Sequence, residues 1–382
     1  MPQLIMHWSD EEGARRAREL FSRYFGDEST EVFAAPGRVN LIGEHTDYND
    51  GLCMPMALPH ATFVAFHQRE DDAVRLISDA GELWEGRVGD IRPGMERSWV
   101  NYAGGPTYTL GVTRGFDAAV VSCVPLGAGL SSSAAIECAM AFALRTPTTE
   151  HDREAIVEAC IRAENEIAGA PTGGMDQTVS VFGRDAHAVF IDFAAETREL
   201  VEADFAADDL AILVMDTRAK HSLSDGQYGN RRAECDQARD MLGYDSLREA
   251  TDADLEKLPQ LLARRVRHVI SENARVVAGA CALQARDWQA LGREFAASHA
   301  SLRDDFEVSC EELDCVVESA MAAGAFGARM TGGGFGGSAI ALVKLNDIEK
   351  ITEEVRRVSC ERGFAEPAFL VAQASSGARL AV

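Results

Sequence analysis

The sequence predicts a chain of mixed helix and strand folded as two packed lobes, and three observations carry that expectation. At 382 residues the chain is longer than one hydrophobic core usually serves. Its 46% apolar and 26% charged content is that of a folded globular protein. Its hydrophobic pattern alternates short β-like runs with helical periods up to about residue 205, then turns mainly helical before closing on strands. The boundary is expected between His187 and Asp216, which gives lobes of 1–205 and 206–382.

Taken in order, Ser9 followed three residues later by Glu12 forms a capping box, and Ala17, Leu20, Phe21 and Tyr24 share one face, so Ser9 to Phe25 reads as an amphipathic helix. Strands are expected over Val32–Ala35, Ala61–His67, Val74–Ser78 and Ala118–Cys123, with helices from Ser131 to Arg145 and from Thr149 to Gly169. His187–Asp192 and Leu210–Asp216 read as strands. Ala250–Gln284, Trp288–Asp304 and Cys310–Ala323 read as helices. Ala328–Thr331, Ser338–Lys344 and Ala368–Gln373 read as strands around a helix over Ile348–Arg362.

Composition narrows the function. A net charge of −24 repels nucleic acid and anionic membranes, so neither is expected as a partner. With only four lysines, at 220, 257, 344 and 350, phosphate recognition must rest on backbone amides, arginine and a divalent cation. Nine cysteines without a CxxC pair fit reduced, mostly buried thiols. No basic leader with an apolar core and no apolar run of ~20 residues occurs, so a cytoplasmic protein is expected.

Three segments and two single carboxylates carry chemistry. Arg38 to Tyr48, behind the bend Pro36-Gly37, gathers a guanidinium, the carboxylates of Glu44 and Asp47, the His45 imidazole and a phenol. That density of directional groups suits a polyhydroxylated ligand, although a solvated turn would use the same residue types. Pro125 to Ala135, with Gly127, Gly129, Leu130, Ser131, Ser132 and Ser133, joins a strand to a helix N-terminus. Amides and helix dipole there favour a phosphate, while a serine would equally serve as a plain cap. Thr331 to Ser338 contains GxGxxG, but strands rather than a helix flank it, which leaves a glycine loop approaching a ligand or another loop. Glu164 falls within an apolar helical stripe and wants a cation, either a structural arginine or Mg²⁺ shared with a serine hydroxyl. Asp176, after Gly173-Gly174, reads alone as a turn or cap residue and as a catalytic candidate in a cleft.

Together, segments 36–49, 125–135 and 331–338 resemble the three motifs of the GHMP small-molecule kinases, and the first resembles the galactokinase signature almost residue for residue. The resemblance continues through Gly173-Gly174-Met175-Asp176-Gln177 and Lys220-His221-Ser222-Leu223, with Tyr228 and Arg231-Arg232. It implies an α+β GHMP kinase fold with an N-terminal lobe like ribosomal protein S5 domain 2 and a ferredoxin-like C-terminal lobe. It also implies transfer of the ATP γ-phosphate to the C1 hydroxyl of α-D-galactose, the first committed step of galactose catabolism. By position, Arg38 and Asp176 form the catalytic pair, and Glu44, His45, Asp47, Gly173, Asp176 and Tyr228 hold the sugar. Gly127 to Ser133 wrap the phosphates of ATP, Ser132 and Glu164 attend Mg²⁺, and Trp99 faces adenine. Alternatives within reach of the resemblance are a kinase for N-acetylgalactosamine or arabinose, and a catalytically silent galactose and ATP sensor. The unbroken Leu130-Ser131-Ser132-Ser133-Ala134-Ala135 favours the enzyme, expected as a monomer working on small molecules. One departure stands out: Ala103-Gly104-Gly105-Pro106 is a poor helix interior where the family continues a helix.

Overall fold

The computed structural model describes residues 4–26, 31–219 and 226–382. Helix α1 (Asp10–Phe25) is capped by Ser9, whose hydroxyl accepts the Glu12 amide at 3.3 Å. It is followed by β1 (Glu31–Asn40), β2 (Leu52–Cys53), β3 (Pro55–Gln68), β4 (Ala73–Ser78), β5 (Gly81–Arg87), α2 (Trp99–Thr109) and β6 (Phe116–Ser122). Helices α3 (Ser132–Leu144), α4 (Glu150–Ala163) and α5 (Met175–Phe182) lead to the hairpin β7 (His187–Asp192) and β8 (Thr197–Glu202). The second half holds β9 (Leu210–Asp216), α6 (Gln227–Leu242), α7 (Gln260–Gln284), α8 (Trp288–Asp304), α9 (Glu311–Ala322), β10 (Gly327–Thr331), β11 (Ser338–Lys344), α10 (Ile348–Glu361), β12 (Ala368–Ala372) and β13 (Arg379–Leu380).

The strands form a six-stranded sheet in the order β13-β1-β3-β6-β4-β5, a four-stranded sheet β10-β11-β9-β12 and a small sheet β2-β7-β8. Period-two alternation sorts the first sheet's side chains. Phe63 and Ala65 pack on Ala14, Ala17 and Phe21 of α1, while Val64 and Phe66 share the opposite core with Cys138 and Phe142 of α3. In the second sheet, Leu213, Met215, Ala339 and Ala341 face α7 and α9. Their alternates Ile212, Val214, Ile340 and Leu342 face the first lobe, in one apolar cluster with Val39, Leu41, Val124 and Leu130. The strand end carrying the first motif and the loop carrying the second are thereby fastened to the second lobe's sheet. The chain ends also cross over, since β13 pairs with β1 and Leu4 bridges to Phe369.

Four departures from the sequence expectation have physical causes. Strand β1 runs on through Asn40 with a register shift between Pro36 and Arg38, a bulge that re-aims the following side chain. Helix α7 begins at Gln260, not Ala250, because the residue before Pro259 is held extended and only 3₁₀ turns precede it. Helix α4 ends in a π turn over Glu164–Ala168 closed by Gly169. Helix α2 passes straight through Gly104, Gly105 and Pro106, so the expected interruption is corrected. A Cβ on Gly105 would lie 3.0 Å from that of Ala163, and this close approach to α4 compensates weak intrinsic propensity. Cys53, Cys138, Cys160, Cys235 and Cys315 are buried free thiols, while Cys281 and Cys360 are exposed. Among the described residues no helix is long and apolar enough to cross a membrane.

Candidate active site

The bulge in β1 carries Arg38 into the junction between the two lobes. Gly37 is required there: a Cβ would sit 2.5 Å from the Leu130 carbonyl, which accepts the Arg38 amide at 3.1 Å. The guanidinium forks onto Asp176, with Nε donating to Oδ1 at 2.7 Å and the second terminal nitrogen to Oδ2 at 2.9 Å. Its other nitrogen donates to the Gly129 carbonyl at 2.7 Å. Ser131 Oγ adds a 2.6 Å bond to Asp176 Oδ2. Burial alone would lower the guanidinium's pKa, but Asp176, Glu44 and Asp47 outweigh it and hold it above its ordinary value. The Arg38 side chain is 6% exposed and Asp176 21%, so the carboxylate is the member of the pair that still reaches the cleft. Asp176 is the second residue of α5, behind Gly174 at φ 103°, where the helix dipole favours an anion.

Around Arg38 the second motif curls over the start of α3. Gly127, Gly129 and Ser131 take left-handed conformations (φ 73°, 72° and 58°), which turns the chain so that the first amides of α3 open onto the same space. Ser132 is the first residue of the helix and Leu130 is buried among core residues. The third motif braces this loop. Ser338 Oγ donates to the Ala128 carbonyl at 2.6 Å, and a Cβ on Gly332 would come within 2.9 Å of the Gly129 carbonyl. The glycines between β10 and β11 thus serve close approaches, Gly332 to this loop, Gly333 to the Tyr228 ring and Gly334 to the Val308 carbonyl.

The remaining groups of the first motif line the neighbouring wall. The His45 ring donates through Nε2 to the Gly333 carbonyl at 3.2 Å and accepts the Tyr48 hydroxyl on Nδ1 at 2.9 Å. Burial pushes its pKa down to about 3, so the imidazole is neutral and this tautomer is fixed. Tyr228, from α6, packs on both rings with centroids 5.3 Å from His45 and 5.7 Å from Tyr48. Glu44 is buried, with Oε1 accepting the Gly332 amide at 2.7 Å and Oε2 bonded to the Asn40 side chain. Burial raises its pKa against the pull of Arg329 and Arg38. Asp47 sits against Gly173, where a Cβ would lie 2.3 Å from its Oδ2. Burial first, and the Asp176 charge second, raise the Asp47 pKa to about 6.

A second carboxylate, Glu164, accepts from Gln177 Nε2 and from the Ser133 hydroxyl. Burial and the Asp176 charge push it up to about 7. Behind it, Glu137 also accepts from Gln177, at 3.2 Å, and its Oε1 has no hydrogen-bond partner among the described residues. Burial first, and the Glu164 charge second, raise the Glu137 pKa as well, so the two carboxyl groups behind Asp176 are held from ionising, an arrangement that a divalent cation would reverse.

The structure brings Arg38, Glu44, His45, Asp47, Gly173, Asp176, Tyr228, Glu164 and the 127–133 loop to one junction. Trp99 opens α2, half-buried against Gly81 in the first lobe's core. Lys220 to Leu223 lie outside the described residues. Sequence reasoning does not single out Gln177 or Glu137: Gln177 lies within the run Gly173 to Gln177, whereas Glu137 lies in an unremarkable helix whose spacing carries no signal.

Known proteins match the chain in sequence and in fold. Residues 19–68 match the galactokinase galactose-binding signature, 101–184 the GHMP kinases N-terminal domain and 280–359 the GHMP kinases C-terminal domain. The chain is 45% identical to a galactokinase of Streptomyces coelicolor over 94% of this chain and 97% of that one. It is 39% identical to the galactokinase of Canis lupus familiaris over 95% of each. Among solved structures, Lactococcus lactis galactokinase complexed with galactose superposes with a TM-score of 0.90 at 32% identity, covering 95% of this chain and 98% of that one. L. major mevalonate kinase, with a TM-score of 0.64, 18% identity and coverage of 92% and 97%, shares the fold.

Proposed function

The chain belongs to the galactokinase family of the GHMP kinases and phosphorylates galactose with ATP, and from that premise we propose how its residues do so. The acceptor is the C1 hydroxyl of α-D-galactose, the most acidic hydroxyl on the sugar because the ring oxygen withdraws electrons from C1. The observation that carries this reading is the fork of Arg38 onto Asp176 in the cleft between the phosphate loop and the first motif.

Asp176 already accepts three hydrogen bonds, and an ionised carboxylate offers about four acceptor sites. One site remains for a hydroxyl. Arg38 fixes the carboxylate and offsets charge on the transferring phosphoryl group. Asp176 therefore orients the hydroxyl and takes its proton late, as suits a loose, largely dissociative transfer. Asp47, Glu44, His45, Gly173 and Tyr228 hold the sugar hydroxyls. Gly127, Gly129, Leu130, Ser131, Ser132 and Ser133 wrap the phosphates, with Trp99 on the adenine side.

Mg²⁺ fits behind Asp176, because burial and the Asp176 charge hold Glu164 up at about 7 and Glu137 Oε1 is orphaned among the described residues, and a nearby cation would relieve both. Glu164 and Ser132 would hold it, and when bound it neutralises charge on the β- and γ-phosphate oxygens. ADP release measured with galactose, glucose or N-acetylgalactosamine, with the product read by phosphorus NMR, tests the proposal. Galactose-dependent release and a C1 phosphate are expected; phosphate on another carbon would overturn the assignment.

A further inference from the structure

The segment that presents Glu44, His45 and Asp47 is held only in part from within, by Thr46 Oγ1 donating to the Gly43 carbonyl at 2.9 Å and Asn49 Nδ2 donating to the His45 carbonyl at 2.8 Å. Beyond Asn40 it leaves the sheet, Gly43 turns at φ 102°, and His45 sits in the left-handed region at φ 62°, a conformation that costs a side-chain-bearing residue energy unless its surroundings impose it. The rest of the constraint comes from the second lobe. Glu272 of α7 accepts the Gly43 amide on Oε1 at 3.0 Å, and the His268 ring donates to the Glu44 carbonyl at 3.1 Å. Arg329 of β10 donates to the Asn40 and Leu41 carbonyls at 3.1 and 3.0 Å. Ser298 of α8 ties these together, donating to Glu272 Oε1 at 2.6 Å and accepting from Arg329 Nε at 3.1 Å.

Glu272, Ser298 and Arg329 are each 0% exposed, so none of them meets solvent or a ligand directly. The last guanidinium nitrogen of Arg329 makes no hydrogen bond among the described residues. It lies 3.5 Å from Glu44 Oε2 and 3.7 Å from Glu272 Oε1, shared electrostatically between the two carboxylates. A buried triad of this kind is poor stabilisation for its own sake, since burying the charges offsets their attraction. Its value lies in geometry.

We infer that Glu272, Ser298 and Arg329 are positioning residues for galactose, which hold segment Asn40–His45 from the opposite lobe in the shape that receives the sugar. This rests on the sugar site proposed above. None of the three touches Arg38 or Asp176, which are fixed separately by Gly129 and Ser131. Disturbing the triad therefore acts on galactose binding and leaves nucleotide binding alone.

Steady-state kinetics of Glu272→Gln and Ser298→Ala, varying galactose and ATP in turn, test this. Removing a buried, charge-assisted link is expected to raise the galactose KM roughly tenfold in Glu272→Gln and about threefold or more in Ser298→Ala, with the ATP KM held within about twofold. Backbone exchange at residues 41–46 should quicken in both variants. An unchanged galactose KM in both overturns the inference, as does an ATP KM that rises in step with it, which marks general loosening of the fold. Ser298→Ala removes only a hydroxyl and decides the matter should Glu272→Gln fold poorly. Asp47→Ala separates the two readings. If it leaves the galactose KM unchanged, the sugar site itself is misplaced; if it raises the KM while the two triad variants do not, the positioning role alone falls.

Discussion

Replacing Asp176 with Asn keeps the shape of the side chain and removes its charge. The carboxylate receives Arg38 at 2.7 and 2.9 Å and Ser131 at 2.6 Å. An amide keeps one oxygen and turns an NH₂ toward donors, so at least one of these bonds becomes a donor facing a donor. Leaving a buried guanidinium without its partner costs about 3–5 kcal/mol. The low end applies here, because Glu44 and Asp47 still act on Arg38 and part of Asp176 is exposed. For 382 residues the unfolding entropy is about 0.8 kcal/mol per kelvin, so ~3 kcal/mol lowers Tm by about 4 °C. The protein stays folded at assay temperature. Turnover should fall by roughly 10³ or more, as the variant loses both the proton acceptor and the anchor of Arg38. Galactose affinity, measured by calorimetry, should change less than about tenfold because Asp47 and Tyr228 remain. Removing the Asp176 charge should also move the Asp47 pKa down from about 6, which shifts the acid limit of galactose binding to lower pH. A kcat within tenfold of the parent in coupled ADP release would refute the role assigned to Asp176.

Three further outcomes follow from the same geometry. Galactose affinity should strengthen as pH rises through about 6, where Asp47 ionises, and Asp47→Asn should flatten that dependence in titrations from pH 5 to 8; a parent profile without this step would remove Asp47 from the site. Because the folded-state value lies above 3.8, the stability Asp47 contributes is complete below pH 4 and lost as pH rises through about 6, up to about 3 kcal/mol in thermal melts of the ligand-free protein. Gly173→Ala should raise the galactose KM at least roughly tenfold with the ATP KM unchanged, since the new Cβ would sit 2.3 Å from Asp47 Oδ2 and 2.8 Å from the Tyr48 amide; a KM equal to that of the parent would show that Asp47 need not stay in place.

Much of this was legible along the chain. Helix and strand period located α1, β9, α8 and β11 to within a residue or two, because amphipathic spacing is a local property written in consecutive side chains. The dense polar run at 38–48, the Gly-Ser turn before α3 and the Asp after two glycines marked the site for the same reason. Each concentrates residue types that are expensive to place together unless they share a ligand. Local reading failed where packing overrode propensity. Helix α2 persists through Gly104-Gly105-Pro106 because those small residues let it approach α4, and no window of sequence contains that neighbour.

What the sequence settled by itself was the inventory: an acidic chain of two lobes, three motifs and a family resemblance specific enough to name substrate and cofactor. What only the tertiary structure decided was which groups meet. Arg38 and Asp176 lie 138 residues apart, and Glu44 is reached by Gly332 across 288. Such pairings are set by how two sheets pack through the cluster of Val39, Leu130, Ile212 and Ile340, and a non-local contact leaves no periodic trace in either partner. The buried triad of Glu272, Ser298 and Arg329 is the clearest instance, three unremarkable positions on separate elements that acquire a role only where α7, α8 and β10 converge beneath the first motif.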